Sequence, residues 1–174
     1  MRKEVAAAGS SAFFLVAPGV LTGLLPWWLT RWAVRWSGGW AVPLQLLGAV
    51  LAAVGVGVLV SSFVRFVREG AGTPAPVAPA RHLIVGGLYR HVRNPIYVAL
   101  IAVILGQALL LGQPVLVPYA AAVLAAVASF VRWREEPVLA RRFGTPYAEY
   151  RRAVPGWVPR LRPWHPSPTP DPGP

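Results

Sequence analysis

The residues in this chain able to do chemistry gather at two places. The first is the run GLYRHVRNPIY, residues 87–97, in which Tyr89, Arg90, His91, Arg93, Asn94 and Tyr97 lead straight into an apolar stretch. The second is Glu135 and Glu136, adjacent carboxylates in a chain with only 6 acidic residues. Adjacent carboxylates repel each other unless a cation or donor nearby favours their charge. Taken singly, each feature has an ordinary structural reading: arginines and a tyrosine anchor a helix at a membrane interface. Pro95 suits a first helical turn, and paired acids suit a helix N-terminus. Other chemistries are closed off. The chain has no cysteine, which excludes disulfides and thiolate nucleophiles or ligands, and His82, His91 and His165 show no ligand spacing, so no metal is expected.

What must bring the two groups together is set by the apolar segments. The chain has 174 residues, 55% of them hydrophobic and 13% charged, the wrong balance for an ordinary soluble domain. Four stretches are long and apolar enough to be read as membrane spans: Ala12 to Thr30, Trp40 to about Val64, Pro95 to Leu111 and Pro114 to Val131. The expected fold is therefore all-α, a polytopic membrane protein with four transmembrane helices and short cytoplasmic C-terminal helices. Only GQP separates the third and fourth spans, which implies an antiparallel hairpin. Each leg of about 18 residues rises about 27 Å, so Arg93, Asn94 and Tyr97 return to the level of Arg132, Arg134, Glu135 and Glu136.

The net charge of +11 is distributed as a topology signal. With the N-terminus inside, fifteen of the lysines and arginines fall inside and only Arg31 and Arg35 outside. Both termini are expected to be cytoplasmic, with the lipid bilayer rather than nucleic acid as partner of the basic segments. The first apolar run follows its small residues instead of preceding them, so it reads as an uncleaved span. Arginine exceeds lysine, and Ala, Gly and Pro abound, which points to a GC-rich bacterial genome and a bacterial cytoplasmic membrane.

Four regions result. Residues 1–67 form a two-span N-terminal region, and 68–94 a cytoplasmic connection, Gly/Pro-rich at first and ending in RHLIVGGLY. Residues 95–155 hold the hairpin and the C-terminal helices, and 156–174 a Pro-rich disordered tail. Within the third region one helix is expected from about Glu135 to Phe143, stopped by Gly144. Thr145 and Pro146 then open a second, reaching about Ala153. Val138, Leu139 and Phe143 can share one apolar face. Gly19 and Gly23 form a small-xxx-small pair expected to let helix backbones approach within the chain.

Two segments together carry a family resemblance. LIVGGLYRHVRNPIY, followed after the hairpin by EEPVLARRFGTPYAEYRRAVP, resembles the isoprenylcysteine carboxyl methyltransferase family, related to phospholipid methyltransferases, over about residues 81–155. The resemblance implies a membrane-embedded helical enzyme that transfers a methyl group from S-adenosylmethionine to a lipophilic acceptor at the cytoplasmic face. It places the cofactor against Arg81, His82, Leu83, Ile84, Tyr89, Asn94, Pro95, Ile96 and Tyr97, with Glu135 closing the site. Arg93 stands where the family has an arginine important for catalysis, and Arg93, Glu135 and Glu136 are the candidate catalytic residues. The family's substrate-contacting arginine falls on Val131, leaving Arg132 and Arg134 as candidate replacements. Asn94 replaces the family's histidine; it keeps a donor and an acceptor but cannot transfer a proton.

The cofactor's chemistry agrees with these residue types. Glu135 suits its ammonium or ribose, an arginine or asparagine its carboxylate, and tyrosine faces its sulfonium. Two other readings stand beside this one: a membrane reductase of the sterol-reductase type using NADPH, in which arginines rather than Glu135 would dominate, and a non-catalytic lipid-binding membrane protein.

Overall fold

A computed structural model describes residues 16–68, 83 and 85–165, and among these the chain is all helical. Helix α1 covers Val16–Thr30, α2 Val42–Arg68, α3 Pro95–Leu111, α4 Leu116–Phe130 and α5 Glu136–Ala153. Short 3₁₀ turns at Gly39–Ala41 and Gly87–Arg90 precede α2 and α3.

Two helical runs, Gly39–Ser62 and Leu116–Ala153, are long and apolar enough to cross a membrane, while Val16–Thr30 and Pro95–Leu111 are apolar but shorter. Of the most apolar stretch in each of the two long runs, only 11% and 22% is buried inside the protein. That is the reverse of a soluble core helix, which hides its apolar face, and suits helices solvated by lipid.

Helix α3 is the centre of the fold. It packs far more extensively on α2 than on its hairpin partner α4, and the contact is backbone to backbone. A Cβ added to Gly48 would run into the Leu110 amide and stand 2.6 Å from the Gly106 carbonyl; one on Gly106 would stand 2.6 Å from the Ala52 amide. Small residues allow such an approach, and in lipid this packing replaces the hydrophobic drive. Gly19 and Gly23, expected to fill that role, do not: nothing lies within 4 Å of a Cβ on either. Instead α1 passes through a π-helical turn, Val20–Leu24, and is held by long side chains. Tyr119 Oη donates to Leu21 O at 2.8 Å and Gln107 Nε2 to Thr22 O at 2.7 Å. Beneath them Ile104, Ala108, Leu116, Ala120 and Val123 form a buried core.

The α3–α4 turn is closed by Gly112 at φ 67°, the left-handed conformation glycine adopts without strain. The last carbonyls of α3 have no partner within the helix. The segment after α1 supplies donors: Trp36 Nε1 to Leu109 O at 2.6 Å and the Arg35 amide to Leu111 O at 2.8 Å.

At the other end, α4 runs into α5 through a second π-helical turn, Val131–Glu135. Gly144, at φ 54° and ψ −128°, breaks α5 where the sequence led us to expect. Leu139 and Phe143 pack inward on Tyr147, Tyr150 and Val154, while Val138 is exposed.

The tail expected over 156–174 is corrected over its described residues. Through His165 it folds back as a strap along residues 90–94, the backbone amides of Arg93 and Asn94 donating to Pro155 O and Gly156 O at 2.9 and 3.2 Å. Further along, the Arg160 amide donates to His91 O and the Trp164 amide to Arg90 O. The prolines do not oppose this, because the strap's paired amides belong to Arg160 and Trp164.

Candidate active site

The two groups of residues meet at the N-terminal mouth of α3. Asn94 occupies the N-cap position and Pro95 opens the helix, where a missing amide hydrogen costs nothing. The Asn94 side chain does not cap the helix; its Nδ2 donates to Gly156 O at 3.1 Å. The first turn, holding Ile96 and Tyr97, therefore keeps an N-terminus without a side-chain cap, an environment that favours an anionic group.

One turn separates Arg93 from Tyr97, and each meets one of the two carboxylates. Tyr97 Oη donates to Glu135 Oε2 at 3.3 Å, while Arg93 Nη1 donates to Glu136 Oε1 at 2.8 Å. Arg93 Nε donates to Val154 O at 3.0 Å as well, so two of its donors are engaged by the protein. Glu136 is the buried hub of an ion network: Arg151 Nη2 lies 3.1 Å and Arg132 Nη1 3.8 Å from its Oε2. The Arg151 approach lacks hydrogen-bond alignment, leaving Oε2 paired by charge alone. Adjacent side chains on a helix diverge by about 100°, which keeps the two repelling carboxylates separate.

Glu135 lies beyond the apolar run of α4, which ends at Val131. Burial pushes its carboxyl above the ordinary 4.5, the Tyr97 hydrogen bond opposes this, and the charge of Glu136 adds to it. Tyr89, on the 3₁₀ turn before α3, is raised chiefly by burial and then by the nearby Glu135, with Arg65 opposing. Tyr150 Oη donates to the Tyr89 carbonyl at 2.7 Å and so holds that turn against α5.

Of the remaining expected site residues, Pro95 and Ile96 are buried at the mouth. Leu83 packs with Val85 on the Tyr147, Tyr150 and Val154 platform. Arg81, His82 and Ile84 lie outside the described residues. Arg132 and Arg134 are exposed, and of the two Arg132 reaches toward Glu136.

Several residues enter that sequence reasoning did not single out. Trp157, on the strap, stacks obliquely on Tyr97 with ring centroids 6.5 Å apart. Arg65 crosses from α2 to lie against Gly86 and Gly87: a Cβ on Gly86 would be 3.1 Å from its Nη1, and on Gly87, at φ 57°, closer still. Two buried polar atoms on bounding segments lack a hydrogen-bond partner, Ser62 Oγ one turn before Arg65 and Arg90 Nε beside Tyr89. A separate groove of about 400 Å³, lined by Ala140, Gly144, Tyr147, Ala148, Arg151 and Arg152, contains none of the expected site residues.

The sequence profile of the phospholipid methyltransferases matches residues 44–146, from the start of α2 to just past the break in α5. The chain belongs to the phospholipid methyltransferase family. No curated protein matches it. The family is one of methyltransferases acting on lipid at membranes, in keeping with the two long apolar helices. Within the phospholipid methyltransferase region lie Arg65, Tyr89, Arg93, Asn94, Tyr97, Glu135 and Glu136; Tyr147, Tyr150 and the whole strap lie beyond it.

Proposed function

We propose that the chain is a four-span integral membrane enzyme that transfers a methyl group from S-adenosylmethionine to a lipophilic acceptor at the cytoplasmic face. The acceptor is an isoprenylcysteine-like carboxylate, a phospholipid amine or another small lipid. The reading rests above all on the Tyr97–Glu135 contact, which closes the mouth of α3 with a carboxylate and an aromatic ring inside a matched methyltransferase region.

The residues present fit such a cofactor. Glu135 offers a carboxylate to an ammonium or a ribose hydroxyl, and the first turn of α3 favours a carboxylate. Tyr97 and Trp157 present ring faces suited to a sulfonium, each such contact contributing on the order of 0.5–2 kcal/mol. Ser62 Oγ and Arg90 Nε are buried polar atoms still wanting a partner. When bound, the cofactor would supply an already activated methyl group. The protein's task is then to hold that group in line with the acceptor and to exclude water. Tyr97 orients Glu135, the Arg93–Glu136 pair fixes the mouth of α3 against α5, and Asn94 ties that mouth to Gly156. Asn94 has no titratable group, so any proton lost by the acceptor leaves through water or another residue.

Calorimetry of the purified protein in detergent tests the reading. S-adenosylhomocysteine should bind, and Glu135→Ala should weaken it. NADPH binding without S-adenosylhomocysteine binding would replace this reading with a reductase. Cofactor binding without methyl release across a broad lipid panel would leave a non-catalytic lipid-binding protein.

A further inference from the structure

The strap carries an arrangement that the site does not require. It is pinned at both ends, by Pro155 and Gly156 on the amides of Arg93 and Asn94 and by Trp164, whose ring centroid lies 5.5 Å from that of Tyr150. Between the pins its side chains diverge. Trp157 turns toward Tyr97, whereas Val158 is 73% and Leu161 96% exposed. Pro155, Pro159 and Pro163 stiffen the segment, so the two apolar side chains are held out by a restrained backbone.

The strap's level relative to a bilayer follows from its hydrogen bonds. It lies directly on the mouth of α3, a charge-free helix of 17 residues. In the membrane reading proposed above, on which this inference rests, that mouth stands at the bilayer surface. Its chemistry suits the same place. Residues 154–165 contain no acidic side chain, and Arg162 on the strap and Arg152 at the end of α5 are exposed. Apolar side chains flanked by free guanidiniums are the pattern of a segment seated in an anionic headgroup layer.

We propose that residues 156–165 form an interfacial strap, with Val158 and Leu161 inserted among the headgroups of an anionic leaflet and Arg152 and Arg162 against lipid phosphates. The strap then places Trp157, one wall of the site, one residue away from a side chain in contact with lipid.

The absence of cysteine permits a clean test. Leu161→Cys, labelled with a nitrobenzoxadiazole fluorophore, is reconstituted in phosphatidylcholine vesicles with and without phosphatidylglycerol. Val50→Cys, on the exposed face of α2, is labelled as the reference. Emission from position 161 should shift to the blue, lose intensity to nitroxide carried near the headgroup and resist iodide, more so with phosphatidylglycerol. Arg152→Glu with Arg162→Glu should reduce the nitroxide quenching. A label at 161 open to iodide, with position 50 in lipid, overturns the strap proposal alone. Shielding from both quenchers would mean a protein occupant and overturns it too. A label at position 50 open to iodide overturns the membrane reading and the strap with it.

Discussion

Arg93 and Glu136 join the start of α3 to the start of α5 through a 2.8 Å hydrogen-bonded ion pair, their side chains only 16% and 11% exposed. The contact lies beside the Tyr97–Glu135 hydrogen bond, so the two carboxylates divide the work. Glu136 binds protein cations, and Glu135 is held at the mouth by a neutral phenol.

Removing Glu136 should therefore be a stability defect. Glu136→Ala leaves the buried Arg93 guanidinium without its counter-charge and should cost about 3–5 kcal/mol, the usual cost of orphaning a buried charge. Arg151→Ala should cost under about 1 kcal/mol, because that arginine's side chain is 45% exposed and its charge is screened by solvent. Thermal unfolding in detergent measures both.

Glu135 should show the opposite behaviour. Its folded carboxyl titrates above the ordinary 4.5, so the folded state holds its proton more tightly than the unfolded state. The stabilisation from that proton is fully present below the unfolded value and is lost as pH rises through the folded value. Melting temperatures of wild type and Glu135→Gln should be similar at low pH. They should diverge in favour of the variant as pH rises above 4.5, then run parallel. A gap that does not change with pH would contradict the assignment.

Tyr97→Phe removes one hydrogen bond to Glu135 and leaves the ring against Trp157. S-adenosylhomocysteine affinity should fall by a factor corresponding to about 0.5–1.5 kcal/mol, with little change in melting temperature. Calorimetry and a thermal melt on the same preparation separate the two effects.

Glycine substitutions should sort by contact rather than by motif. Gly48→Ala and Gly106→Ala force a methyl group into facing backbone and should each destabilise by about 1–3 kcal/mol. Gly19→Ala and Gly23→Ala meet open space and should be neutral or slightly stabilising. Urea or thermal unfolding of the four variants tests the contrast.

The features of this molecule legible in its sequence are those set by local rules. Apolar run length and the proline at its head gave Pro95–Leu111 as observed, and Gly144 with Pro146 marked the break in α5. The convergence of Arg93 and Tyr97 on Glu135 and Glu136 was legible from hairpin geometry. What stayed hidden depends on partners distant in the chain. Gly48 and Gly106 become a packing pair only once α2 faces α3, and GVLTG looked the better candidate because its glycines share one helix. The strap was concealed by its own composition: closely spaced prolines read as disorder, yet its order comes from amides and carbonyls paired with residues 90–94. Arg65 looked like a topology charge because nothing local ties it to Gly86 and Gly87.

The π-helical turn at Val131–Glu135 makes the linkage from α4 to α5 a vernier. Its wider hydrogen-bond ring takes up one residue more than an α-helical turn without a matching gain in length, so it fixes which neighbour points where. Rewinding the same residues as ordinary α-helix would carry Arg134 into the position of Glu135, and Glu135 into the position where Glu136 now meets Arg93. The chain would keep its composition and its length and lose the carboxylate at the mouth of α3 at one stroke. For the carboxylates of this family member, counting residues along the helix matters as much as their identity.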